Sequence, residues 1–163
     1  MSEKVEWWVL ALCGALPRGA GEPIGGRGTA PHRMTQAEAG ALLAGCSEQA
    51  TAVALWCFGF DVMRRAAYYA ILAEACDQWD RFRREYAAIQ TTNELRELAA
   101  LVFDEIRLPE RSRTKSRRAR FMGVSLKVWN RRFERPHRQL GGAVDKWLSA
   151  AESAVRRNAR RAS

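Results

Sequence analysis

Two histidines, four cysteines and a few paired carboxylates are the residues of this 163-residue chain with the chemistry for catalysis or metal binding. His32 stands in a Gly/Pro-rich stretch and His137 in "RPHRQ", and neither has the carboxylate pattern that would make it a general base. His137 reads instead as a phosphate contact or a solvated side chain. Asp104 with Glu105, and Asp77 with Asp80, have the chemistry to hold magnesium for phosphoryl transfer, but they fall on helices full of ordinary surface charge. Cys13, Cys46, Cys57 and Cys76 lack the close Cys or His spacing that a tetrahedral zinc site requires. Set among Ala, Leu and Trp, they read as buried, reduced thiols of a cytosolic protein. "GEPIGGRGT" lacks the Lys-Ser or Lys-Thr ending of a phosphate-cradling loop. The residues therefore lead us to expect no enzyme, no metal and no cofactor.

The arginines point elsewhere. The net charge is +9, and residues 107–140 alone carry twelve basic side chains against Glu110 and Glu134, a local +10. The residues before that segment sum to −4 and those after it to +3, so one stretch supplies the excess. Such concentrated charge ordinarily serves a polyanion, through phosphate neutralisation and counterion release.

Inside that stretch lies "RARFMGVSLKVWNRRF", residues 118–133. Ala119 and Gly123 have the spacing of a helix-turn-helix, in which a small residue permits close crossing and a glycine four residues later supplies positive φ. Thr114 and Ser125 stand where side chains cap the two helices. Leu126, Trp129 and Phe133 follow at steps of three and four, one apolar stripe completing the core of the unit with Ala119 and Gly123. The opposite face presents Ser125, Lys127, Asn130 and Arg131 as donors to base edges. Arg113, Lys115, Arg117, Arg118, Arg120 and Arg135 are the expected phosphate contacts. Against this stands a plainer reading, a surface helix with solvated arginines or a basic protein-binding arm. A second pattern, Ala41, Gly45 and Ser47 in "AGALLAGCSEQAT", has the same form without a single basic residue.

The elements that must position this corner read as helical throughout. The composition is 47% hydrophobic with six Trp, enough to build a core, and β-branched alternation is sparse. A first helix is expected at about Val5 to Leu16, whose Glu3 and Glu6 argue against a secretory leader. Pro17 ends it, and "PRGAGEPIGGRGTAPHR" follows as a spacer or a partner-binding loop. "TQAE" at Thr35 is a capping box, Ser47 caps the next helix, and helical periodicity then places Met63, Tyr69 or Ala70, Ala73 and Cys76 on one face. From Thr92, Leu95, Leu98, Leu101 or Val102 and Ile106 mark an amphipathic core helix. The expected organisation is all-α: an N-terminal helix and loop over 1–34, a helical core over 35–91, a helix-turn-helix region over 92–148, and a basic tail over 149–163. No apolar run approaches the roughly 20 residues that cross a bilayer. The tail arginines Arg156, Arg157, Arg160 and Arg161 fall nearly on one side of a helix, facing nucleic acid, a protein or water.

The "GVS" corner followed by Arg-Arg resembles the helix-turn-helix of sigma-factor-like transcription regulators. The whole chain resembles the Q-type antitermination proteins of lambdoid-like phages, through its size, the early "WW", the Gly-rich stretch and the basic corner "MGVSLKVWNRRFERPHRQL" with its helical tail. The likeness is specific over residues 114–148. Two departures stand out: Arg118 and Arg132 occupy places that such units often fill with apolar residues, and the zinc-binding cysteines of some relatives are missing. The resemblance implies a protein of the bacterial host cytoplasm that binds duplex DNA near a late promoter, joins RNA polymerase and promotes read-through of terminators. Three other roles stay open: a DNA-packaging recognition subunit of the small-terminase kind, a simple repressor or activator, and an inhibitor of a host enzyme.

Overall fold

A computed structural model describes residues 35–108 and 113–162. The expected helix at Val5 to Leu16, the Gly/Pro-rich stretch, Cys13 and His32 lie outside them. The described residues are all-α, with no strand among them.

Helix α1 (Gln36–Leu42) starts at the capping box, where Thr35 Oγ1 accepts from Glu38 N and Glu38 Oε2 accepts from Thr35 N at 2.7 Å. Gly45, at φ 91°, turns the chain, and Ser47 Oγ caps α2 (Glu48–Cys57). The uncharged Ala41, Gly45, Ser47 pattern thus also forms a corner between helices. This pattern of small residues encodes a turn, and what the turn serves depends on the charges around it. At the end of α2, Phe60 N donates to Leu55 O and Gly59 N to Trp56 O, a paired C-cap that requires the φ of 95° only glycine adopts freely. A 3-10 turn (Asp61–Met63) leads into α3 (Arg64–Arg81), and a coiled segment leads to α4 (Thr92–Glu105), which Thr91 caps. Two short elements follow, α5 (Lys115–Phe121) and α6 (Leu126–Val128), then a π-helical segment (Trp129–Phe133) and α7 (Glu134–Ala162).

Helix α4 buries Leu95, Leu98, Leu101, Val102 and Ile106, the periodicity read from its sequence. Helix α3 lies in another register. It buries Ala67, Ile71, Ala75 and Gln78; of the expected face Met63 and Ala70 pack against the same core, whereas Tyr69 is 51% exposed and Ala73 and Cys76 face outward. Alanines line both sides of this helix, so spacing alone does not choose the inner face. Ile71 chooses it, flanked by small residues that let neighbouring helices come close, while Tyr69 stays outside under the Arg65 guanidinium. The expectation of buried thiols is corrected by the same register, because Cys76 is exposed and Cys46 and Cys57 are only half buried.

Helices α6, the π segment and α7 follow one another with helical φ and ψ at every junction. Pro136 explains the π turn. It has no N–H for the carbonyl four residues back, and its ring crowds that carbonyl. Just upstream the ladder widens, and Glu134 N donates to Trp129 O, five residues back. The wider turn keeps Trp129, Phe133, Leu140, Val144 and Leu148 on one buried side. They join residues of α2, α3 and α4 in a single core that crosses the boundary expected near residue 91. Residues 149–162 are the last turns of α7. Ala151 and Val155 close a second cluster with Ala39, Leu43 and Phe58, and Asn158 Nδ2 caps the end of α1 by donating to Leu42 O at 2.8 Å. Helix α7 is thus the strut on which both ends of the described fold are packed.

Candidate nucleic-acid interface

The basic corner is built by short-range bonds. Thr114 Oγ1 accepts from Arg117 N at 3.2 Å to start α5, and Ser125 Oγ accepts from Val128 N at 3.3 Å to start α6. Between them Val124 N donates to Ala119 O at 2.9 Å and Gly123 N to Arg120 O at 3.1 Å. That paired C-cap places Gly123 at φ 65°. Ala119, Trp129 and Phe133 are buried as expected, with the Trp129 and Phe133 rings stacked at 6.2 Å. Leu126 is not part of this core and is 45% exposed. Residues four apart share a helix face, which puts Leu126 beside exposed Asn130, while Val124 and Val128 pack against the core instead.

Carboxylates hold the inner side of the corner. Glu105, at the end of α4 and 8% exposed, accepts from Arg118 Nε at 2.6 Å and lies 2.6 Å from His137 Nε2 on α7. Burial pushes the Glu105 carboxyl up, but the hydrogen bonds and charges of His137 and Arg118 outweigh it and hold the group below its ordinary value. Glu105 is therefore ionised and accepts from both partners, so His137 Nε2 carries the hydrogen. His137 itself is buried, edge-on to Trp129 at 5.3 Å, and is neither the phosphate contact nor the solvated side chain expected from its sequence setting. Arg132 donates to Ala88 O at 3.0 and 3.2 Å and to Glu94 Oε1 at 2.7 Å. Arg118 and Arg132, the arginines at places such units often fill with apolar residues, thus stand at inward places and are satisfied there by carboxylates and a carbonyl.

Other basic residues are also engaged. Lys115 Nζ lies 2.6 Å from Glu134, Arg138 reaches the same carboxylate at 3.4 Å, and Arg117 lies 3.5 Å from Asp104. The Lys115 bond is the largest influence holding Glu134 below its ordinary value. Arg113 donates to Ile106 O, and Arg107 Cζ sits over the Trp56 ring, 3.4 Å from its centroid. Of the expected phosphate contacts, Arg118 is thereby turned into the fold, whereas Lys115 and Arg117 remain about half exposed beside their partners. Among the described residues no carboxylate pairs with Arg120, Lys127, Arg131 or Arg135, and all four are exposed. Ser125 and Asn130 are exposed with them. The corner consequently has an inner side of compensated charge and an outer side of uncompensated cations and amide donors.

Of the acidic pairs considered for magnesium, Asp77 is paired with Arg81, Asp104 with Arg117 and Glu105 with Arg118. No group of three or more potential ligands gathers for a metal among the described residues, and none of their helices is long and apolar enough to cross a membrane. Comparison with protein-family models, curated proteins and solved structures finds no match to the chain.

Sequence reasoning missed the roles of Glu94 and Glu105. Both belong to α4, outside the basic window, and reach Arg132 and Arg118 only after the chain has folded back. A signal was present in Arg118 and Arg132 themselves, because an arginine at an inward place requires an acidic partner nearby.

Proposed function

We propose that the chain binds duplex DNA through the α5–α6 corner, used as a helix-turn-helix unit. Ser125, Lys127, Asn130 and Arg131 face the major groove, and Arg120 and Arg135 hold phosphates, with Arg113, Lys115 and Arg117 at the margin. The observation that carries this reading is the two-sided corner. Its inner cations Arg132 and Arg118 are tied to Glu94 and Glu105, while Arg120, Lys127, Arg131 and Arg135 on its outer side have no carboxylate partner among the described residues. A solvated basic surface needs no such division, whereas a DNA reader needs donors held rigid and left free at the same time.

The resemblance to Q-type proteins gives the biological setting, a phage antitermination factor in the bacterial cytoplasm. It is loaded onto RNA polymerase near a late promoter and lets the enzyme pass terminators. Crosslinking and sequencing of bound DNA in cells, with and without an elongation inhibitor, tests that setting. A signal that starts at one promoter and spreads downstream only while polymerase moves supports antitermination. One sharp peak indifferent to elongation replaces it with a static binder, a repressor or a packaging subunit.

A further inference from the structure

Among the described residues four large apolar side chains are strongly exposed, and two of them, Phe121 at 46% and Leu126 at 45%, flank the Gly123 turn. A single exposed leucine is unremarkable. Leu126, however, is the first residue of α6, directly after the Ser125 cap, and shares its face with Asn130 while Lys127 and Arg131 stand alongside. The apolar group thus sits among cations, and its natural complement is an apolar group set within a polyanion. In the major groove the base edges offer one such group, the 5-methyl of thymine.

We propose that Leu126 reads a thymine methyl, an assignment that rests on the DNA-binding reading above. Leu126 and Asn130 are neighbours on one helix face, within reach of base pairs one or two steps of about 3.4 Å apart. Asn130 has the donor and acceptor that match adenine. The thymine therefore lies one or two base pairs from an adenine contacted by Asn130.

The test uses the full chain. A preferred duplex is selected from a random pool, and each thymine in it is replaced in turn by deoxyuridine, which removes only the methyl. One replacement is expected to weaken binding about fourfold, the worth of one methyl group kept from water. Leu126→Ala should bind the thymine and uracil duplexes equally. Leu126→Met should keep the discrimination, and so should Phe121→Ala. Because Leu126 is exposed, the Ala variant should melt as the wild type does, and an unchanged melt shows that its binding phenotype is local. A preferred duplex with no uracil-sensitive position overturns the assignment while leaving DNA reading intact. So does discrimination that survives Leu126→Ala or vanishes with Phe121→Ala. A pool that yields no preferred sequence overturns the DNA-reading proposal and this assignment together.

Discussion

Glu105 and His137, thirty-two residues apart, meet at 2.6 Å with Arg118 on the other carboxylate oxygen, so one buried anion joins α4, α5 and α7. The folded carboxyl is held below 4.5, the ordinary value. Its contribution to stability is therefore complete above about pH 4.5 and is lost as pH falls toward the lowered folded value. Melting temperature measured from pH 3 to 6 should fall more steeply with acid for the wild type than for Glu105→Gln.

At neutral pH Glu105→Gln should itself destabilise the protein by about 2 to 3 kcal/mol, less than the ~3–5 kcal/mol of a fully buried pair. The reduction follows from Arg118, whose side chain is 22% exposed and keeps some water when its partner is gone. Urea denaturation gives the value.

Two glycines should respond with opposite signs. Gly123 sits at φ 65°, and an added Cβ would meet nothing within 4 Å, so Gly123→Ala carries backbone strain alone and costs about 1 to 2 kcal/mol. Gly142 lies in α7 with ordinary φ and equally open space, and Gly142→Ala should stabilise by about 0.5 to 1 kcal/mol. Thermal melts of the two variants check both signs.

The arginines divide into two classes that binding and stability measurements separate. Arg131→Ala should cost about 1 to 3 kcal/mol on a preferred duplex and relax base choice, whereas Arg120→Ala should weaken every sequence alike and lower the salt slope by about 1. Lys115→Ala should also weaken all sequences alike, but by less, because its ammonium already answers Glu134. Arg132→Met should leave the salt slope unchanged and reduce stability, since its guanidinium serves Ala88 O and Glu94.

What the sequence made legible was local. The caps at Thr35, Ser47 and Thr114 and the turn at Gly123 depend on residues within a few positions of one another, and the core stripe of α4 repeats clearly. The register of α3 was illegible because alanines line more than one face of it. Leu126 was misplaced because three-residue and four-residue steps are both helical, and only packing shows that Trp129 turns inward while Leu126 follows Asn130. Counting charge along a window overstated the free cations, since Asp61, Glu94, Asp104 and Glu105 lie outside the window yet pair with Arg107, Arg132, Arg117 and Arg118 inside it. Pairings of that kind belong to the folded chain and not to neighbouring residues.

The salt dependence of duplex binding tests most directly whether the outer side of the corner is the DNA surface. Each phosphate contact contributes a slope of about −0.9 in a plot of log K against log salt, so Arg120 and Arg135 predict roughly −2, steepened further by any phosphate contact of Arg113, Lys115 and Arg117 at the margin. Alanine at Arg120 or Arg135 should reduce the slope by about one contact, and Arg132→Met should not change it. Binding that ignores salt, or a slope that responds to Arg132 and not to Arg120 or Arg135, would contradict the assignment of this face to DNA.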